Sequence, residues 1–236
     1  MLESPNMIRR VSQGIQLFLA SNSPRRRELL ALGGWDYRAL SPLVDETPMP
    51  DEAGVDYVMR LAKSKVDKAA SLIGVGGVIV AADTTVIYSQ IHGNTRILGK
   101  PGDRAEAAQM LRDLRGNTHQ VHTAIAVLLS QNGTLWSDLC TTQVTMRKYS
   151  DAEIKAYIDT GDPLDKAGAY AIQHAGFHPV EQLEGCFANV MGLPLCHLTR
   201  CLAHCGITPQ ADIPHACQAA LGYHCPVYHQ ILIEEL

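Results

Sequence analysis

Gln16-Leu17-Phe18-Leu19-Ala20-Ser21-Asn22-Ser23-Pro24-Arg25-Arg26-Arg27-Glu28-Leu29-Leu30 reads as a strand, a turn and a helix in immediate succession. Gln16 to Ala20 is a short, mostly apolar run of the kind that forms a buried strand. It stops at Ser-Asn-Ser-Pro. Ser23 suits a helix N-cap, Pro24 suits the first helical position, and Arg25 to Leu32 is the predicted helix. A strand that feeds directly into a helix is the repeating step of α/β folds.

Working outward, the stretch from Ser41 to Asp51, rich in Pro and acids, reads as loop. Val55 to Ile73 is predicted as an amphipathic helix, because Val55, Val58, Ala62, Val66, Ala69 and Ile73 share one face. Gly74, Gly76 and Gly77 end it. Val78 to Ala82 is a second buried strand, ending at Asp83, and Thr84 to Leu98 a hairpin turning at His92-Gly93-Asn94. Asp103 to Leu114 is a helix with a capping-box pattern at Asp103 and Glu106. Strands Gln120 to Leu129 and Leu135 to Met146 flank the turn signal Asn132-Gly133. Ser150 and Glu153 open a helix that ends at Gly161. A strand around Ala169 to Gln173 and a last helix from Pro194 to Ala203 complete the pattern. Strands alternating with helices, plus hairpins, predict an α/β protein: a single domain with a twisted mixed sheet flanked by helices.

The chain has 236 residues and a net charge of −4. That balance supplies no global field for nucleic acid or an anionic membrane, so positive charge for any anion must be concentrated locally. No long apolar h-region follows Arg9 and Arg10, and Ile15 to Ala20 is far too short to span a bilayer. The seven cysteines bunch from Cys140 onward, in a chain large enough not to need disulfides. Reduced thiols and a cytoplasmic location are the expectation.

Positive charge is concentrated after the first strand. Ser21 and Ser23 offer hydroxyls, a helix start offers free N–H groups, and Arg25 and Arg26 occupy the first turn. Arginine there opposes the helix dipole, and a bound polyanion would relieve the conflict. The competing reading is a solvated basic turn whose arginines pair with nearby acids. Asp83, at the end of an apolar strand, suits a metal ligand or a base, or else a plain cap. Glu46 is a second candidate ligand, or surface charge. Lys65 lies about 20° from Val58 at the edge of the apolar stripe. It either snorkels to water or reaches into a cleft. Lys100 sits in Gly99-Lys100-Pro101 just before a capped helix, where a phosphate contact is open to it.

These residues fall in strings that resemble the Maf-like nucleotide pyrophosphatases. The strings are Leu19-Ala-Ser-Asn-Ser-Pro-Arg-Arg26, Val44-Asp-Glu46, Arg60-Leu-Ala62 with Lys65, Ala82-Asp-Thr84 and Leu98-Gly-Lys-Pro101. Met110-Leu111, Gly116 with His119, Gly161-Asp-Pro163, Asp165-Lys-Ala-Gly-Ala-Tyr170, Ile172-Gln173 and Asn189-Val-Met-Gly-Leu-Pro-Leu195 follow in order. The resemblance implies a Maf/ITPase-like fold over residues 16–207, with extensions at 1–15 and 208–236. It implies hydrolysis of a nucleoside triphosphate to the monophosphate and pyrophosphate, a divalent cation (Mg²⁺ or Mn²⁺) and a homodimer. It implies Asp83 as the catalytic acid, with Glu46 and Asp83 as metal ligands. Ser23, Arg26, Lys65 and Lys100 would contact phosphate, and Arg25, Thr84 and Gln173 would discriminate substrates. Arg25, Thr84 and Gln173 together look like the dTTP/UTP branch. Phe187-Ala188 and His174 depart from that branch's usual Tyr-Tyr and Gly, near the expected nucleobase end. The alternative function is a non-catalytic nucleotide-binding regulator of septum formation, an association the family also carries. No G-x-x-x-x-G-K-[ST] run is present to suggest a P-loop kinase.

The C-terminal extension holds His215, Cys217, His224, Cys225 and His229, with Cys201, His204 and Cys205 just before it. Cys and His are zinc ligands, but the spacing matches no strong template. Cys201 and Cys205, four apart on a helix, are more simply small core residues.

Overall fold

Three long neighbouring strands carry the molecule: β3 (Gly77–Ser89), β5 (Thr118–Leu129) and β6 (Thr134–Met146). They pair antiparallel in that order, in a computed structural model that describes residues 15–74, 76–89 and 95–233. On the other side of β3 lie β1 (Gln16–Ala20) and then β2 (Tyr37–Leu40), both parallel to it. β7 (Val180–Glu184) closes the far edge beside β6, and β4 (Thr95–Leu98) pairs antiparallel with the last residues of β3. Among the described residues the sheet is therefore seven-stranded and mixed, as the alternation of strands and helices predicts.

The helices are α1 (Pro24–Ala31), α2 (Gly54–Ile73), α3 (Arg104–Leu114), α4 (Asp151–Asp159), α5 (Phe187–Met191), α6 (Leu195–Ala203), α7 (Ile213–Leu221) and α8 (Tyr228–Ile233). Strand periodicity distributes them. Ile79 and Ala81 point to one face and pack with Val58, Leu61, Ala62, Val66 and Ala69 of α2. Val78, Val80 and Ala82 point to the other and pack with Leu29 and Leu30 of α1 and Leu198 and Leu202 of α6. Farther along the same strands, Val86, Val121 and Val144 pack with Leu111 and Leu114 of α3 and Ile154 of α4.

Local signals set the boundaries. The Ser23 side chain accepts from the Arg26 N–H, with Pro24 behind it. Asp103 caps α3, and Ser150 with Glu153 makes a reciprocal capping box on α4.

Three expectations are corrected. The second strand does not end at Asp83. It runs on to Ser89, because Thr84-Thr85-Val86-Ile87-Tyr88 is β-branched and aromatic and β5 pairs across it continuously. Ala169 to Gln173 is not a strand: Gly168 and Ala169 have left-handed φ of 68° and 60°, and the Ala171 N–H is satisfied by the Tyr157 hydroxyl at 2.9 Å. Helix α6 is not the last, since α7 and α8 follow and place Ile213 and Ile231 in the core shared by α1 and α6. The expected turn at His92-Gly93-Asn94 and the 1–14 part of the N-terminal extension lie outside the described residues.

All seven cysteines are free thiols. Cys201 and Cys205 are buried in the α6 core as small apolar residues. Among the described residues no group of three or more His, Cys, Asp or Glu side chains could hold a metal ion, and no helix is long and apolar enough to cross a membrane.

Candidate active site

β1 pairs with β3 only as far as Val80, and β4 begins pairing at Val86. Among the described residues no strand covers the edge of β3 between those points. A cavity of about 750 Å³ opens at this notch. Ser23, Arg25, Arg26, Glu46, Lys65, Asp83, Thr84, Lys100 and Gln173 all line it, so the fold brings together every candidate nucleotide-site residue, while the Cys and His residues of the C-terminal extension lie elsewhere.

Asp83 and Thr84 stand in the middle of the notch. They are adjacent in a strand, so their side chains go to opposite faces. Asp83 meets α2, where its Oδ1 accepts from Lys65 Nζ at 2.5 Å. The same ammonium lies 2.8 Å from Glu46 Oε1, and Lys100 Nζ lies 3.7 Å from Glu46 Oε2. Lys65 therefore reaches into the cleft rather than snorkelling to water. Burial pushes the Asp83 carboxyl above its ordinary range, with Lys65 and Arg26 opposing. Glu46 goes the other way: burial raises it, but the hydrogen bond and charge of Lys65, helped by Lys100 and Arg26, leave it below its ordinary value.

The loop that delivers Glu46 is held from α2. The Tyr57 hydroxyl donates to the Glu46 carbonyl at 2.8 Å. Burial and the neighbouring carboxylates push this phenol up to about 12, which keeps its proton in place. Arg60 grips Glu52 with two bonds, Nε to Oε1 at 2.6 Å and a terminal nitrogen to Oε2 at 2.7 Å, and donates to the Thr47 carbonyl. Such a fork fixes orientation as well as contact.

Thr84 meets the opposite face. Its Oγ1 receives a bond from an Arg26 terminal nitrogen at 3.1 Å and lies 2.9 Å from Thr123 Oγ1. Thr123 donates to the Asn189 carbonyl at 2.9 Å, and Asn189 Nδ2 donates to the Val121 carbonyl and to Thr142 Oγ1. Arg26 Nε donates to the Gly192 carbonyl at 2.7 Å. Gly192 has φ 104°, and a Cβ there would sit 3.2 Å from Thr84 Oγ1 and 3.3 Å from Arg26 Nε. Only glycine leaves room for this approach.

Arg26 is bonded to neutral oxygens alone. Among the described residues neither it nor Arg25 makes an ion pair, so the reading of arginines paired with nearby acids does not hold. Burial pushes the Arg26 guanidinium below its ordinary value, with the Asp83 charge opposing. Arg26 is partly buried, and a partly desolvated cation without a contacting anion carries a cost that an anionic ligand relieves.

Gln173 reaches the cavity on the segment between α4 and β7. Lys166 holds the start of that segment, with Nζ 2.8 Å from Asp162 Oδ1 and 2.6 Å from Asp165 Oδ1. The Gly168 N–H donates to the Gly99 carbonyl at 3.1 Å and ties this segment to the Lys100 loop. Lys166, Tyr57, Thr123 and Asn189 were not singled out from sequence. Lys166 and Asn189 fall inside strings that carried the resemblance. Thr123 carries no sequence signal, because only the β3–β5 register sets it opposite Thr84.

Glu46 and Asp83 contact one ammonium, so their oxygens lie no farther apart than two hydrogen-bond lengths. Two carboxylates at that spacing, beside basic groups suited to phosphate, fit a small cation of the Mg²⁺ type, which takes few protein ligands and completes its shell with substrate and water.

A family model described as Maf-like protein matches residues 16–205. The dTTP/UTP pyrophosphatase of Pasteurella multocida is 40% identical over 200 residues, covering 81% of this chain and 96% of that protein. Those of Methylobacillus flagellatus and Salmonella typhimurium are each 43% identical, covering 81% and 80% of this chain and 94% and 92% of the relatives. A solved structure of a nucleoside-triphosphatase / dITP/XTP pyrophosphatase from Mycobacterium abscessus overlaps only loosely, with TM-score 0.41 and 15% identity over 80% of this chain and 94% of that one. With residues 16–205 matched by the family model and these relatives aligned almost end to end, the chain belongs to the Maf-like protein family.

Proposed function

We propose that this chain hydrolyses dTTP and UTP to the nucleoside monophosphate and pyrophosphate. The observation that carries the reading is the notch itself: a buried carboxylate, Asp83, faces a cavity ringed by Arg25, Arg26, Lys65 and Lys100. The names of its relatives supply the nucleotides.

In this reading Arg26, Lys65 and Lys100 neutralise the triphosphate and hold it across the notch. Asp83 Oδ1 is engaged by Lys65, which leaves Oδ2 for a water. Asp83 takes a proton from that water as its oxygen attacks the α-phosphorus, and pyrophosphate leaves. Burial raises the basicity of Asp83, which favours this role. Asp83 and Glu46 are the residues that would hold the family's divalent cation, which when bound draws charge from the phosphate oxygens. Ser23 borders the phosphate end, and Arg25, Thr84 and Gln173 border the nucleoside.

The test is a nucleotide panel with Mg²⁺ or Mn²⁺, scoring pyrophosphate against orthophosphate. Pyrophosphate released from UTP and dTTP in preference to other nucleotides is the expected result. Orthophosphate as the sole product would remove the assignment, and nucleotide binding without turnover would favour the regulator.

A further inference from the structure

We propose that Thr123 fixes the direction of the Thr84 hydroxyl, so that Thr84 shows the cavity only an acceptor and takes the imide N3–H of a uracil or thymine ring. This rests on the pyrophosphatase reading and deepens it, by naming what sets base preference.

Thr123 is fully buried, and its Oγ1 lies 2.9 Å from the Asn189 carbonyl oxygen. A carbonyl has no proton to give, and two bare oxygens at that distance would repel. The Thr123 proton therefore points at Asn189. The carbonyl is held there: it also accepts from the Gly192 N–H at 2.9 Å, and the Asn189 side chain is tied to Val121 and Thr142. With its only proton committed, Thr123 can contact Thr84 at 2.9 Å only as acceptor, so the Thr84 proton points inward. Thr84 keeps its lone pairs. One receives Arg26, and the other is available to the cavity it lines.

An acceptor cannot serve phosphate, whose oxygens also accept. Thr84 must face the nucleoside, where donors exist. Uracil and thymine carry a proton on N3. Cytosine carries a lone pair there, which would face the Thr84 lone pair. Gln173 cannot make this distinction by itself, because its amide can turn to donate or accept. Thr84 cannot turn while Thr123 holds its proton. A mismatched buried polar contact lowers affinity by about tenfold to a hundredfold.

The test compares UTP, CTP and 2′,3′-dideoxy-TTP on the full chain with Mg²⁺. kcat/KM is measured for wild type, Thr123→Val, Thr123→Ser and Thr84→Val, with thermal melts to establish folding. Wild type is expected to prefer UTP over CTP by about tenfold or more, mostly in KM. Thr123→Val, which frees the Thr84 proton, narrows the ratio to about threefold or less, and Thr123→Ser restores it. If Thr123→Val does not fold, Thr84→Val carries the test and should lose the same preference. An unchanged ratio in the folded variant overturns the proposal, as does loss of the ratio in Thr123→Ser. Rejection of the dideoxynucleotide as strong as that of CTP also overturns it, since Thr84 would then read a sugar hydroxyl. If nothing is hydrolysed, the parent reading fails instead. The ratio of Kd values for non-hydrolysable UTP and CTP analogues then decides this one by the same criteria.

Discussion

The two faces of the notch differ in kind although they start from adjacent residues. Behind Asp83 lies a charged wall of Lys65, Glu46 and Lys100, held by ion pairs of 2.5 to 3.7 Å. Behind Thr84 lies a relay of neutral groups, Thr123, Asn189 and Thr142, held by hydrogen bonds of 2.9 Å. A charged wall acts through field strength and tolerates small shifts. A neutral relay acts through direction, and one misplaced proton reverses what it offers. The first suits chemistry at phosphorus and the second suits recognition of a base.

The largest expected effect breaks the charged wall at its centre. Asp83→Asn keeps the shape but removes the base, and pyrophosphate release should fall about 10³-fold. Full turnover would exclude Asp83 as the catalytic group. Next is Lys65→Met, which leaves Asp83 and Glu46 facing each other without their shared cation. Removing one partner of a buried pair costs about 3 kcal/mol, so denaturant unfolding should show a loss near that size, together with reduced turnover. The relay responds more mildly. Asn189→Ala removes the amide that donates to the Val121 carbonyl and to Thr142 and should cost about 1–3 kcal/mol of stability, while base preference changes more than the maximal rate does.

The smallest effect belongs to pH and falls behind the neutral face. His119 shares its strand face with Thr123 and lies 2.8 Å from the Tyr170 hydroxyl through Nε2. Burial pushes its pKa down to about 3. An unfolded histidine takes its proton near 6.5, so the unfolded state binds more protons between those values. The stability that His119 contributes is therefore present above about pH 6.5 and is lost as pH falls toward 3. Urea midpoints measured from pH 8 to pH 4 should drop through that window, and His119→Phe should flatten the drop.

Much of this architecture was legible in the chain because its signals are local. Ser23 and Pro24 mark the start of α1, the 3.6-residue stripe from Val55 to Ile73 marks α2, and Asn132-Gly133 marks the β5–β6 turn. What failed had non-local causes. The Ala169–Gln173 segment is apolar like a strand but is bent by left-handed backbone at Gly168 and Ala169, anchored through Lys166 and Tyr157. β2 and β7 carry weak patterns because both are edge strands, each paired on one side only.

The site divides in the same way. Sequence by itself marked the candidates for it: Arg25 and Arg26 at a helix start, Lys65 at the edge of a stripe, Asp83 after an apolar run. Each stands out through a local conflict between residue type and position. Tertiary structure alone decided what those residues do to one another. It opened the β3 edge between Val80 and Val86, turned Asp83 toward Lys65 and Thr84 toward Thr123, and set the direction of that last hydrogen bond. The physical reason is that ion pairs and hydrogen bonds depend on distances between segments far apart in the chain. Those distances are set by strand register, which no single segment encodes.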